Sequence, residues 1–145
     1  YTVLRYSNVY GPRQGADGEG GVIYIFAKSL AENKPITIFG DGRQTRDFIS
    51  VHDVISANLA ALHQADGEII NISTETELSL NDLAAEMIAA AGRSRKLLHY
   101  GSPRTGDIYR SCPSNQKATT LLQWTPSRNI KDGLTETIHF FQDRL

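Results

Sequence analysis

The stretch Ile36-Thr-Ile-Phe-Gly-Asp-Gly-Arg-Gln-Thr-Arg-Asp-Phe-Ile-Ser-Val-His-Asp53 contains the local signals that decide the fold class of this chain. Its first four residues alternate apolar and polar side chains and then enter Gly-Asp-Gly, which predicts a strand followed by a tight turn. Residues 45–51 predict a second extended run. Ser50 or Asp53 is suited to cap a helix that follows this run. Extended runs and a helix start thus alternate within one short segment.

The same alternation continues on both sides of this stretch. Residues 1–6 predict a strand that runs into a loop, residues 68–73 a short buried strand suited to parallel pairing, and residues 96–100 another strand. Residues 115–122 predict a short helix, and the order of elements favours an α/β or α+β fold. Longer helices are predicted by apolar faces at helical spacing, made of Val22, Ile25, Phe26, Ser29 and Leu30, of Val54, Ile55, Asn58, Leu59 and Leu62, of Leu83, Ala84, Met87, Ile88 and Ala91, and of Ile130, Leu134, Ile138, Phe141 and Leu145.

Composition and charge exclude several functional classes. The 145 residues include 15 Lys and Arg against 16 Asp and Glu, so a formal net charge of −1 provides no chain-wide attraction to nucleic acid or to an anionic membrane. The single cysteine excludes an internal disulfide, and the scattered histidines lack the spacing of a zinc site, so no metal is expected. No apolar run is long enough to span a bilayer and no leader is visible, so the cytoplasm is the expected compartment.

The positions of the arginines indicate a local anion site. Of ten arginines, four lie in or beside Gly/Pro-rich loops, namely Arg13, Arg43, Arg46 and Arg104. A guanidinium can meet two phosphate oxygens at once, so two arginines from separate loops can neutralise a diphosphate. The competing interpretation, which composition alone favours, is that these arginines are solvated or pair with Asp41, Asp47 and Asp107.

No complete motif for catalysis or for cofactor binding is predicted in these residues. No GxGxxG, GxxGxxG or GKS/T loop follows a strand, and no GxSxG or HExxH occurs. Neither Tyr6 nor Tyr10 has a Lys four residues later, so no catalytic residue is assigned and catalysis by this chain alone is not predicted. His52-Asp53 is interpreted as a helix start rather than a general-base pair, and Cys112 as a small packed residue.

Three motifs, in this order, resemble those of a known enzyme family: Leu4-Arg-Tyr-Ser-Asn-Val-Tyr-Gly-Pro-Arg-Gln14, Ile38-Phe-Gly-Asp-Gly-Arg-Gln-Thr-Arg-Asp-Phe-Ile-Ser-Val-His-Asp53 and Pro103-Arg-Thr-Gly-Asp107. A closing Trp124-Thr-Pro126 and a terminal helix follow in the same order. On these residues the chain resembles the C-terminal portion of the extended short-chain dehydrogenases/reductases that act on nucleotide sugars. Within that family it is most similar to the UDP-glucose 4-epimerases. The resemblance covers essentially the whole chain.

The resemblance implies roles for residues that would meet NAD and the substrate diphosphate. Tyr6 is implied to lie against the nicotinamide part of NAD, and Asn8 to hydrogen-bond the diphosphate region. Arg46 and Arg104 are implied to clamp the diphosphate. Asp107 is implied to orient Arg104 or to reach a ribose hydroxyl. Arg46 and Arg104 are also two of the four arginines that stand out by their position in or beside Gly/Pro-rich loops.

The resemblance also implies a pocket for the uridine part of the substrate. The residues implied to meet the nucleotide open a helix after a glycine-rich loop, where backbone N–H groups favour anions. They are Gly20, Gly21 and Val22. The strand implied to line the uridine pocket consists of Thr37, Ile38 and Phe39.

The implied fold is the last strands of a Rossmann domain followed by a smaller substrate-binding domain. Residues 1–14 would end the Rossmann domain, residues 15–145 would mainly form the substrate domain, and residues 54–73 would return to the Rossmann sheet. An exposed apolar patch is therefore expected where other strands of that sheet would pack, covered by an N-terminal half or by self-association.

The implied activity is that of an NAD-dependent isomerase, homodimeric when intact, that interconverts UDP-glucose and UDP-galactose through a 4-keto sugar. Most NAD contacts would come from an N-terminal part, because the chain opens at Tyr1 without the cofactor fingerprint. Two alternatives stay open. One is another nucleotide-sugar epimerase, a 4,6-dehydratase or a decarboxylase of the same superfamily. The other is a non-catalytic module that binds nucleotide sugars.

Overall fold

A computed structural model of the chain describes residues 1–15 and 21–144, and it has a mixed α/β structure. The strands are β1 (Val3–Tyr6), β2 (Asn8–Tyr10), β3 (Ile36–Phe39), β4 (Thr45–Arg46), β5 (Phe48–Ser50), β6 (Ile69–Ile72), β7 (Leu78–Ser79), β8 (Leu98–Gly101) and β9 (Arg110–Ser111). The helices are α1 (Val22–Ala31), α2 (Val51–Ala61), α3 (Leu80–Ala90), α4 (Gln116–Leu122) and α5 (Ile130–Gln142), and a 3₁₀ turn spans Arg95–Leu97.

Most strand pairs are parallel. β1 pairs with β6, β2 with β5 and β3 with β8, each in parallel, while β4 lies between antiparallel β7 and parallel β9. Parallel pairing requires long crossovers, and these contain the helices. The prediction of a buried parallel strand within residues 68–73 is confirmed, because Ile70 and Ile72 of β6 are fully buried beside β1.

Two predictions about extended segments were wrong. The segment after β1 is not all loop, because Asn8–Tyr10 forms β2 alongside β5. The run over residues 45–51 is not one strand: it divides at Asp47, whose N–H donates to the Ser111 carbonyl on one side and whose carbonyl accepts from Asn8 on the other. Val51 already belongs to α2. Long-range pairing, which local patterns do not encode, causes both differences.

The residue that caps α2 is one of the two that the sequence predicts. Ser50 caps α2 by accepting from the His52 N–H, and Ser79 caps α3 by accepting from the Asp82 N–H. Asp53 is not the cap of α2. It is a buried side chain that accepts hydrogen bonds from Ser127 and Arg128 in the turn before α5.

Two hydrophobic cores organise the chain. In the first, α1, α3 and α5 pack with β3 and β8. In the second, α2 and α4 pack against β1, β5 and β6. The predicted inner face of α3 is fully confirmed, and that of α5 is confirmed for Leu134 and Ile138, with Ile130 and Phe141 partly buried and Leu145 outside the described residues. The division of the chain into residues 1–14, 15–145 and 54–73 stays a prediction.

Two predicted helix faces were wrong in part. In α1 the buried side chains include Ile23 and Ala27, whereas Ile25 is half exposed and lines a cavity. In α2 the side chains that meet the second core are Val54 and Ala57, and the apolar residues on the other side face outward. That outward set consists of Ile55, Leu59 and Leu62.

Exposed apolar side chains also gather beside β1. We define the β1–α2 surface by Tyr1, Tyr6, Leu59 and Leu62. Three of these residues line one shallow cavity, and Leu59 lies one helical turn before Leu62. Within the described residues β1 pairs only with β6, so its second edge is unpaired.

Candidate functional site

A cavity of about 490 Å³ lies between α1 and β3 and has apolar walls with polar residues at its mouth. Ile36 and Ile38 point into the first core, so alternation along β3 turns Thr37 and Phe39 toward the other face. The lining also includes residues from four other segments. The full lining is Asn8, Val22, Ile25, Phe26, Ser29, Pro35, Ile36, Thr37, Ile38, Phe39, Gln44, Arg46, Leu80, Arg104 and Asp107.

Arg46 reaches the mouth of this cavity from β4. Its Nη2 lies 2.6 Å from Oδ1 of Asp107, and its Nη1 donates to the Thr45 carbonyl at 2.8 Å. Only 17% of the Arg46 side chain is exposed, so the ion pair is sheltered. A sheltered, hydrogen-bonded guanidinium is held in one orientation, which suits recognition of an anion.

β4 itself is held in place by Glu77. The Glu77 carboxylate accepts from Thr45 Oγ1 and from Arg110 Nε, each at 2.7 Å. Arg110 holds the pKa of Glu77 below its usual value, with Thr45 adding to the effect. The strand that presents Arg46 is therefore tied to its neighbour β9.

Arg104 reaches the same mouth from the loop after β8. Its Cζ lies 3.9 Å from the centroid of the Phe39 ring, a cation–π contact. Among the described residues no carboxylate forms an ion pair with Arg104. The Phe39 ring contacts the guanidinium without neutralising it, so the positive charge of Arg104 remains available to an incoming anion.

Asp107 orients Arg46 rather than Arg104, which corrects one of the two roles expected of it. Its carboxylate accepts from Arg46 and, at 3.3 Å, from Gln44 Nε2. Gln44 in turn donates to the Phe39 carbonyl at 2.8 Å. Arg104 lies on the aromatic ring, so the β4 side of the cavity supplies the partners of Asp107.

The expected site residues mostly meet at this cavity, with three exceptions. Tyr6 lies on the β1–α2 surface instead, where its hydroxyl donates to Asn58 Oδ1 at 3.1 Å. Gly21 is the N-cap residue of α1 and does not line the cavity. Gly20 lies outside the described residues. The residues brought together are Asn8, Val22, Thr37, Ile38, Phe39, Arg46, Arg104 and Asp107.

Sequence reasoning missed several lining residues. Gln44 is buried and links Phe39 to Asp107, and its polar side chain between a Gly-Asp-Gly turn and a strand was the available signal. Ile25 was expected in the core because helical spacing alone does not distinguish a core face from a cavity wall.

The other loop arginines lie elsewhere. Arg43 is largely exposed beside Asp41, with Nε 3.9 Å from Oδ2, as the competing interpretation expects. Arg13 lines a wide groove of about 670 Å³ along α5. The acidic side chains of Asp132, Glu136 and Asp143 share that groove, and their charge opposes a diphosphate.

The structure does not support a catalytic role for His52 with Asp53 or for Cys112. His52 Nε2 lies 3.2 Å from Glu136, while Asp53 points to the turn before α5, so the two do not form a pair. Burial, with a smaller contribution from Asp47, raises the pKa of the Cys112 thiol and so disfavours the reactive thiolate.

Across residues 1–15 and 21–144 no group of three or more His, Cys, Asp or Glu could hold a metal ion. No helix there has the length and apolarity to cross a bilayer.

Comparison with known proteins identifies the family. The model of the NAD dependent epimerase/dehydratase family matches residues 1–73, which include β1, β3 and the Arg46 segment. The chain belongs to this family. The predicted fold is confirmed, because structures of family members superpose on nearly the whole chain.

Relatives of this family member differ in their named substrates. A Methanocaldococcus jannaschii protein, provisionally named a UDP-glucose 4-epimerase, is 42% identical over 143 residues, which are 99% of this chain and 46% of that protein. A UDP-N-acetyl-alpha-D-glucosaminuronate decarboxylase of Bacillus cytotoxicus is 32% identical over 98% of this chain and 46% of its own length. The Thermotoga maritima UDP-glucose 4-epimerase crystallised with UDP-glucose superposes with a TM-score of 0.94 at 39% identity, over 99% of this chain and 46% of that one. The family member described here thus spans about half the length of the relatives that it matches.

Proposed function

We propose that this chain supplies the UDP-binding part of an NAD-dependent UDP-glucose 4-epimerase, which interconverts UDP-glucose and UDP-galactose through a 4-keto sugar. The observation that carries the proposal is the cavity between α1 and β3, with Arg46 and Arg104 at its mouth. The similarity to UDP-glucose 4-epimerases supports the choice of substrate.

The two arginines suit a diphosphate. Arg46 forms an ion pair with Asp107, whereas Arg104 contacts the neutral ring of Phe39. Two positive charges and one negative charge leave the mouth of the cavity with a net positive charge. A diphosphate would be gripped from two separate elements, each guanidinium meeting phosphate oxygens bidentately. Asn8 lines the same mouth and has an amide oxygen and one N–H beyond its bond to the Asp47 carbonyl.

Among the described residues β3 pairs only with β8, and its free edge on the other side suits a uracil ring. Gly40 N–H donates to the Gly101 carbonyl, so alternation in this parallel pair turns the backbone groups of Thr37 and Phe39 away from β8. Gln44 takes the Phe39 carbonyl, which leaves the Phe39 N–H and both backbone groups of Thr37, among them the Thr37 carbonyl. One acceptor and one donor match the imide edge of uracil, which has an N–H between two carbonyls.

Binding of the UDP part of the substrate, which does not react, would serve the reaction at the sugar indirectly. Contacts with the non-reacting UDP retain the 4-keto sugar while it turns over, because remote binding energy orders the reacting part. NAD, when bound, accepts a hydride from the sugar and returns it. Tyr6 fits a contact with NAD, because it is exposed at the carboxyl end of β1, where Rossmann-type sheets bind ligands.

The rest of the enzyme would cover the β1–α2 surface. In this proposal an N-terminal half packs on the unpaired edge of β1, the intact enzyme is a homodimer, and the chain alone covers the surface by self-association. No epimerisation is expected of the chain alone. The glycines with GxxGxxG spacing, Gly15, Gly18 and Gly21, do not directly follow a strand, and the pair with YxxxK spacing, Tyr24 and Lys28, lies on α1, where the Tyr24 ring packs edge-on against Phe141.

A titration tests the nucleotide site. UDP is titrated calorimetrically into the chain and into Arg46→Ala, Arg104→Ala and Arg43→Ala, with folding checked by circular dichroism. Each cavity variant should bind UDP about tenfold or more weakly, because it removes charge-assisted hydrogen bonds worth about 1.5–3 kcal/mol. Arg43→Ala is the matched control, since Arg43 lies outside the cavity, and it should bind as the unaltered chain does. Undiminished binding in both cavity variants would refute the arginine clamp.

A second candidate is a UDP-sugar decarboxylase, which the Bacillus cytotoxicus relative favours. The cavity recognises the nucleotide, and both enzymes share that part of the substrate. Activity assays of a full-length protein that contains this segment, with UDP-glucose and with UDP-glucuronate, distinguish the two: release of carbon dioxide would support the decarboxylase.

A further inference from the structure

Asp47 is a buried carboxylate between β4 and β5, outside the lining of the nucleotide cavity. It is 0% exposed, and its carboxylate accepts from Ser7 Oγ at 2.8 Å and from the Thr74 N–H and Oγ1 at 3.0 and 3.1 Å. All these donors are neutral, and no Lys or Arg of the described residues forms an ion pair with it. A buried charge without a cation depends on such bonds, so the position of Asp47 is tightly fixed.

The main chain of Asp47 holds two groups of the cavity. Its carbonyl oxygen accepts from both the backbone N–H and the Nδ2 of Asn8, each at 3.0 Å. Arg46 precedes it directly and turns the opposite way, into the cavity mouth. Asn8 and Arg46 belong to different strands, and residue 47 is the point that they share.

We infer that Asp47 is a positioning residue of the nucleotide site. Its carboxylate is anchored to Ser7 and Thr74, which follow the carboxyl ends of β1 and β6, and this anchor fixes the peptide that orients Asn8 and Arg46. Asp47 thereby connects β1 and β6, which pack in the second core, to Asn8 and Arg46, which line the nucleotide cavity. The inference rests on the function proposed above.

Asp53 provides a matched comparison. It is 2% exposed and likewise accepts three hydrogen bonds from neutral donors, the Ser127 N–H and Oγ at 2.9 Å and the Arg128 N–H at 3.2 Å. Its partners lie before α5 and do not line the cavity. A carboxylate that acts only through stability would behave as Asp53 does.

The test compares Asp47→Asn with Asp53→Asn in the 145-residue chain. Each change presents an NH₂ to donors, so both should lower the melting temperature. UDP affinity is measured by calorimetry at a temperature where both variants are folded. Asp47→Asn should weaken UDP binding about tenfold or more, while Asp53→Asn should stay within about twofold of the unaltered chain. The NMR signals of the Asn8 side-chain amide should shift in Asp47→Asn and not in Asp53→Asn.

A milder variant covers the case in which Asp47→Asn does not fold. Thr74→Val keeps the backbone N–H bond to Asp47 and removes the hydroxyl bond to Asp47, together with the bond that this hydroxyl accepts from the Thr76 N–H; it should weaken UDP binding by a few fold and shift the Asn8 amide signals. If the unaltered chain binds UDP but the folded Asp47 and Thr74 variants bind it equally well, Asp47 has no positioning role and the proposed function stands. If the unaltered chain does not bind UDP, the proposed function fails and this inference fails with it.

Discussion

Arg46 and Arg104 illustrate how neighbouring cations acquire different roles from their surroundings. Arg46 is held by Asp107, whereas Arg104 rests on Phe39 and keeps its full charge. Their loop positions made them candidates for an anion site, and the family resemblance implied that they clamp a diphosphate. The resemblance implied Arg104 as a partner of Asp107, whereas the structure pairs Asp107 with Arg46, which lies 61 positions away in the sequence.

Gly133 tests the packing of the first core at a single position. Within a helix Ala is normally favoured over Gly by about 1 kcal/mol. A Cβ at Gly133, however, would overlap the hydroxyl oxygen of Tyr10 and lie 3.0 Å from its ring. Gly133→Ala should therefore lower the free energy of unfolding by about 1–3 kcal/mol, as overpacking does.

Urea denaturation followed by circular dichroism measures this effect. Tyr10→Phe removes the nearest atom, so adding it to Gly133→Ala should recover part of the lost stability. The single Tyr10→Phe variant serves as the control. Unchanged or increased stability of Gly133→Ala would contradict the packing of Tyr10 against α5.

Among the elements, α2 shows most clearly what local patterns leave undetermined. Helical spacing predicted a core face that includes Val54, Ile55, Leu59 and Leu62. The structure confirms Val54, adds Ala57, and leaves the other three exposed. Apolar residues occur on both sides of this helix, and spacing alone does not say which side meets β5 and α4. In α3, by contrast, the large apolar residues lie on one side, and its inner face was predicted fully.

The outward face of α2 should drive self-association of the isolated chain. Leu62 is 67% exposed beside Tyr6, so burying this surface between copies removes apolar area from water. In sedimentation velocity, Leu62→Asp should shift the chain toward monomer. Ile108→Asp, at a 61% exposed site away from this surface, should leave association unchanged. A chain that is monomeric at all concentrations would contradict the proposal that self-association covers the β1–α2 surface.

At the scale of the whole molecule, two cores organise the described residues, and the nucleotide cavity lies beside the first core, between α1 and β3. The order of strands and helices, the caps and the parallel pairing of β6 followed from sequence patterns and from the family resemblance. The short strands β2, β7 and β9 did not, nor did the break between β4 and β5, because these features exist only through pairing with distant segments. The cavity depends on those pairings, which explains why Gln44 and Asp47 became recognisable only in the folded chain.

A crystal structure of the chain with UDP tests the nucleotide site most directly. We expect the uracil ring against the free edge of β3 and the diphosphate oxygens within hydrogen-bond distance of the guanidinium groups of Arg46 and Arg104. UDP bound instead in the groove along α5, with the cavity between α1 and β3 empty, would contradict the proposed nucleotide site.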